Sequence, residues 1–171
     1  MDPVDSCPLT SLLTRCGVLY GVSGDDKINA LMAVVARLEL PEGVNRDLVI
    51  EELLRREDIS STGIGQGIAL PHPQNAAALH MPASLVALAF LAHPIEYGAP
   101  DELPVQAIFV ILSNDRAQHL RLLALLGRVL QQADVMDALA RQLPAAELLA
   151  VIHRVEERMQ NKLAAGKVPP R

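Results

Sequence analysis

The chain has 171 residues, half of them hydrophobic and only 2% aromatic. That is enough for one compact domain whose core is built from Leu, Val, Ile and Ala. A formal net charge of −5 argues against a protein that grips nucleic acid by neutralising phosphates, and gives no reason to expect an anionic membrane surface as partner.

The N-terminal stretch "MDPVDSCP" is acidic and lacks the apolar segment of a signal peptide, and residues 1–8 read as a loose lead-in to a domain spanning 9–160. The longest run of mainly apolar residues, 83–92, is too short to span a bilayer. The expectation is a cytoplasmic protein without membrane insertion. Cys7 and Cys16 fit no zinc spacing and are too few for a disulfide framework, so they read as reduced thiols.

"LTSLLTRCG" from Leu9 opens with helical character. "GVLYGV" reads as a short strand ended by Ser23-Gly24. Residues 25–38 then place Ile28, Leu31, Met32, Val35 and Leu38 on one helical face, with Asp25 and Asp26 at its positive end. "PEGVN" breaks this helix. Asn45 can cap the next, "RDLVIEELLRRED", whose apolar face is Leu48, Val49, Leu53 and Leu54.

A glycine-rich stretch follows, and "GIALPH" reads as a buried strand stopped by proline. "SLVALAFLA" and "LPVQAIFVIL" are two further strands, apolar enough to need cover on both faces. Three helices supply cover: 116–131, 133–143 and 145–160. Residues 161–171 have little to bury and read as a frayed tail. The order implies a single α/β domain, a central mixed sheet flanked by helices on both faces.

Chemistry concentrates around His72. Pro71 and Pro73 clamp it, and Pro73 drives it toward extended backbone angles. It follows a buried strand, at the kind of strand end where α/β proteins place their sites. A rigid imidazole there suits a nucleophile, a general base or a metal ligand. "GIGQG" fails both the dinucleotide fingerprint and the P-loop pattern, so its glycines read first as a tight entry to the strand. Arg56 lies in a charged last helical turn that would complement the helix dipole. It also neighbours the hydroxyls of Ser60, Ser61 and Thr62, and a guanidinium beside hydroxyls suits a phosphate.

His119 sits near the start of a later helix, and its interest depends on whether the fold carries it to His72. His80, His93 and His153 read as structural. No two histidines share metal-ligand spacing, and no G-x-S-x-G elbow supports a serine hydrolase. No metal or cofactor is expected.

The stretch "LLRREDISSTGIGQGIALPH" resembles the signature of the EIIA domains of the bacterial sugar phosphotransferase system, fructose–mannitol type, and within these the nitrogen-regulatory variety. The shared elements are a helix ending in Arg-Glu, a short gap, S-T-G-I-G, a strand of the form [IV]-A-[IL], and P-H. "QHLRLLALLGRVL" is similar to a second family feature, a His-Leu pair opening a Leu/Ala-rich helix.

The resemblance implies the mixed-sheet fold of that family and a phosphoryl relay. His72 would accept a phosphoryl group from a small histidine phosphocarrier protein. His119 would be the second active-site histidine, Arg56 the anion-stabilising arginine, and Ser61 and Thr62 phosphoryl-binding hydroxyls. The group would pass on to a permease domain or transporter, or act as a signal read by a sensor kinase. A stoichiometric, regulatory component is expected rather than a dedicated sugar importer. The alternative is a degenerate EIIA-like module that docks on a partner without being phosphorylated. One departure from the family pattern is Pro73, where glycine or cysteine is usual. Proline removes a backbone N–H that could have faced the phosphoryl group.

Overall fold

The structure, a computed structural model, describes residues 8–165. The lead-in as far as Cys7 and the tail from residue 166 lie outside the described residues.

Six helices and five strands follow one another in the order α1 (Leu9–Cys16), β1 (Val18–Val22), α2 (Lys27–Arg37), α3 (Arg46–Ile59), β2 (Gly63–Gly65), β3 (Ile68–Ala69), β4 (Leu85–Ile95), β5 (Val105–Leu112), α4 (Arg116–Val129), α5 (Ala133–Ala140) and α6 (Ala145–Ala165). A 3-10 turn, Ala76–Leu79, lies between β3 and β4. α6 runs past the expected end at residue 160, so part of the expected tail is helical.

Side-chain oxygens start three helices. Asp26 accepts from Asn29 N–H, Asn45 from the N–H groups of Asp47 and Leu48, and Asp115 from Gln118 N–H. Each meets donors that the first turn cannot pair internally.

The sheet order is β1-β4-β5-β3-β2. β4 pairs antiparallel with β5, while β1 runs parallel to β4 and β3 parallel to β5. Residues 85–91 of β4 are buried on both faces. Val86, Leu88, Phe90, Phe109 and Ile111 pack with α1, α4, α5 and α6. Ala87, Ala89, Ile108, Val110 and Leu112 pack with α2 and α3. Two apolar layers therefore sandwich the central strands, as their unbroken hydrophobicity requires.

The glycine-rich stretch is a hairpin rather than a lone strand. Gly65, Gln66 and Gly67 all have positive φ, at 94°, 54° and 75°, which lets β2 turn tightly into β3. Gln66 N–H donates to Asp101 Oδ2 at 2.6 Å, and a Cβ on Gly65 would come within 2.9 Å of that same oxygen. The strand expected over 67–72 is ladder-paired only at Ile68–Ala69. Beyond it the chain stays tied to its neighbours, with Leu70 N–H bonded to Thr62 O and Ile111 N–H to Pro71 O.

Candidate functional site

His72 leaves the sheet beside β5, and its ring is fixed from both sides. Nδ1 lies 2.8 Å from the carbonyl oxygen of Leu70. A carbonyl only accepts, so Nδ1 carries the proton and the lone pair of the neutral ring stands on Nε2. The Nε–H of Arg56 donates to that Nε2 at 3.1 Å. Burial holds the imidazole below its ordinary pKa, the Leu70 carbonyl opposing this in part and the Arg56 charge adding to it. His72 is therefore a neutral ring at neutral pH, with an aimed lone pair.

Arg56 stands in the last turn of α3. Its Nη1 donates to Ser60 O at 2.9 Å and to Ser60 Oγ at 3.2 Å. These bonds brace the guanidinium beside the ring it touches.

The face of α3 that carries Arg56 also carries two buried carboxylates, Glu52 and Glu57. Glu52 Oε2 accepts Asn75 N–H at 2.7 Å, and its backbone carbonyl accepts Gln74 N–H at 3.0 Å. The segment after His72 is thereby tied to the helix. Glu57 Oε1 accepts Thr62 N–H at 2.9 Å, Oε2 accepts the Thr62 hydroxyl, and Lys27 Nζ stands 3.3 Å away. The segment before the hairpin is tied likewise. One helix face thus holds the nucleophile candidate and both flanking loops.

His119 enters from the first turn of α4. Its ring centroid is 4.8 Å from that of His72, and its Nδ1 is 3.1 Å from the hydroxyl of Ser113, a fully buried residue at the end of β5. Burial, then the neighbouring His72 and Arg56, hold this imidazole too below its usual pKa. A cleft of about 500 Å³ opens over the two rings, lined by Arg56, residues 72–77, Asp115, Arg116 and His119.

Of the residues singled out from sequence, the fold brings Arg56, His72 and His119 together. Ser61 and Thr62 do not join them, and neither lines the cleft. Thr62 is buried, its hydroxyl committed to Glu57. The Ser61 hydroxyl donates to Tyr97 O at 2.9 Å and accepts Gly63 N–H at 3.1 Å. Both side chains build the loop that supports β2, and neither hydroxyl faces the cleft, which differs from the phosphoryl-binding role that the resemblance implied. His80, His93 and His153 are exposed, His153 lying 3.5 Å from Glu157 on the same helix.

Glu52, Glu57 and Ser113 were not singled out as site residues from sequence. Glu52 had a visible signal, its place four residues before Arg56 on one helical face. Among the described residues, no group of three or more His, Cys, Asp or Glu side chains could hold a metal ion, and no helix is long and apolar enough to cross a membrane.

Known proteins are similar to this chain in sequence and fold. The family model described as phosphoenolpyruvate-dependent sugar phosphotransferase system, EIIA 2, matches residues 11–155. A nitrogen regulatory protein of Pseudomonas aeruginosa is 38% identical over 82% of this chain and 91% of its own length. The crystal structure of nitrogen regulatory protein IIA-Ntr from Neisseria meningitidis superposes with a TM-score of 0.68 at 28% identity, covering 79% of this chain and 91% of that one. The complex of enzyme IIA mannitol with phosphorylated enzyme IIB mannitol from Escherichia coli matches with a TM-score of 0.65 at 18% identity, over 80% of this chain and 93% of that one, and speaks for the fold.

Proposed function

The chain belongs to the EIIA 2 family of the phosphoenolpyruvate-dependent sugar phosphotransferase system, and on that premise we propose that it accepts a phosphoryl group on Nε2 of His72. The observation that carries this reading is the ring's orientation. Leu70 O accepts a hydrogen bond from Nδ1–H, which leaves the lone pair on Nε2 as the nucleophile, facing the cleft-lining Arg56.

In the step, the Nε2 lone pair forms a bond to phosphorus. The donor's phosphorus–nitrogen bond breaks, and its electron pair stays on the donor's ring. The His72 ring gains positive charge as the new bond forms, and the Leu70 carbonyl on Nδ1–H stabilises it. Charge in the transition state spreads over the three equatorial oxygens, so positioned donors supply most of the acceleration. Arg56 loses its acceptor when Nε2 is phosphorylated, and its Nε–H is then free for a phosphoryl oxygen. The His119 ring adjoins that of His72 and lines the same cleft.

The donor in this reading is a histidine phosphocarrier protein. The relative from Pseudomonas aeruginosa is named a nitrogen regulatory protein, and that likeness favours a regulatory role for this chain over dedicated sugar import. Its phosphohistidine is a stoichiometric relay state, open to an EIIB-like domain, a transporter or a sensor kinase downstream.

The test is ¹⁵N NMR on histidine-labelled protein after exposure to the phosphorylated carrier. Phosphorus coupling at Nε2 of His72 is expected. Coupling at Nδ1, or at His119, would contradict the assignment.

A further inference from the structure

We propose that Arg116 is a second guanidinium that grips the phosphoryl group on His72, a role that rests on the phosphoryl reading above. The argument begins with the donors the acceptor loop withholds. Pro73 has no N–H. Gln74 N–H is bonded to Glu52 O, and Asn75 N–H to Glu52 Oε2. The three positions after His72 therefore present no free backbone donor. The hydroxyls of Ser61 and Thr62 are committed elsewhere. A phosphoryl dianion on Nε2 would then draw on other cleft-lining groups, the Gln74 and Asn75 carboxamides and the charged side chains of α3 and α4.

Arg56 is partly spoken for, with Nη1 on Ser60. His119, as a neutral ring, has one N–H to give. Arg116 lines the same cleft and is exposed. It stands three residues before His119 on α4, so the two side chains neighbour each other on the helix surface. Among the described residues its guanidinium makes no ion pair. The one carboxylate that lines the cleft is Asp115, which also caps α4 through Gln118 N–H. Two guanidinia against one carboxylate leave the cleft with net positive charge for a dianion. The planar fork of arginine suits the phosphoryl oxygens better than a lysine ammonium does.

The experiment uses the full chain with phosphoramidate as a small donor, so that protein docking does not enter. Its phosphorus–nitrogen bond breaks, ammonia leaves with the electron pair, and the new bond forms to Nε2. The rate of acid-labile phosphate uptake is read for wild type, Arg116→Ala, Arg116→Lys and the exposed control Arg121→Ala, with thermal melts alongside.

Arg116→Ala should be slowed about tenfold or more, Arg116→Lys should recover part of the loss, Arg121→Ala should match wild type, and all should melt alike. Arg116→Ala phosphorylating at the wild-type rate, or Arg121→Ala falling equally, would overturn the role of Arg116 while leaving His72 as acceptor. Wild type that takes phosphate from neither phosphoramidate nor a phosphorylated carrier would overturn both.

Discussion

In the proposed reaction the two ring nitrogens of His72 divide the work, and that division sets a pH dependence. Nδ1–H is held by Leu70 O and Nε2 must be bare to attack. Burial first, and the Arg56 charge with it, keep the folded ring's pKa below the ordinary value of about 6.5. The rate of phosphorylation should therefore rise with pH, reach half its plateau below about pH 6.5, and stay flat to pH 8. A rate profile with its midpoint above 6.5 would contradict the buried, arginine-flanked ring. The linkage has the same sign. Below about 6.5 the unfolded chain binds more protons at His72 and His119 than the folded one, so these two groups withdraw stability as pH falls through that window.

Pro73 is the other residue-scale question. It is buried and lines the cleft, and it fixes the backbone next to the acceptor. Glycine there restores one N–H but frees the unfolded chain. A charge-assisted hydrogen bond to a phosphoryl oxygen is worth about 1.5–3 kcal/mol. Pro73→Gly should thus phosphorylate about tenfold faster, hydrolyse its phosphohistidine more slowly, and unfold at lower urea by about 1 kcal/mol. Equal or slower phosphorylation, measured side by side with one carrier, would mean that an N–H at position 73 does not reach the phosphoryl group.

At the scale of elements, α3 does the positioning. Glu52, Arg56 and Glu57 share its inner side, and each holds a different piece of chain. Removing the Glu57 carboxylate would strand Thr62 N–H and two hydroxyls in a buried setting and leave the partly exposed Lys27 without its ion-pair partner. Glu57→Ala should lower stability by about 3 kcal/mol in urea unfolding, and Glu57→Gln by less. Equal small losses would show that the hairpin stands without this anchor.

The same helix explains what was legible beforehand. Its span and its Asn45 cap follow from local pattern, and Arg56 was found through motif spacing. Its buried acids were missed because charge runs are usually solvated, and partners brought in by the fold, Thr62, Tyr97, Asn75 and Lys27, help make burial tolerable. The hydroxyls of Ser61 and Thr62 take the partners the fold gives them, Tyr97 O, distant in sequence, and the buried Glu57, and the sequence pattern showed neither bond. β2 went unread because a Gly-Ile-Gly run has little strand propensity of its own, and its pairing depends on positive φ at three successive residues.

The whole molecule presents a small cationic cleft on an otherwise acidic chain. The sheet delivers His72 at the end of β3 and His119 just past β5, and β3 and β5 are hydrogen-bonded neighbours. That adjacency brings the two rings to 4.8 Å. The parallel β3–β5 pairing and the two apolar layers hold it rigid, so acceptance of a phosphoryl group should require no large rearrangement. The central claim is that His72 alone takes that group. Intact mass after incubation with a phosphorylated histidine carrier tests it most directly, read at neutral pH and again after mild acid, for wild type and His72→Ala. Wild type should gain one phosphoryl group that acid removes and alkali spares, and His72→Ala should gain none; the same acid-labile gain in His72→Ala would contradict the account.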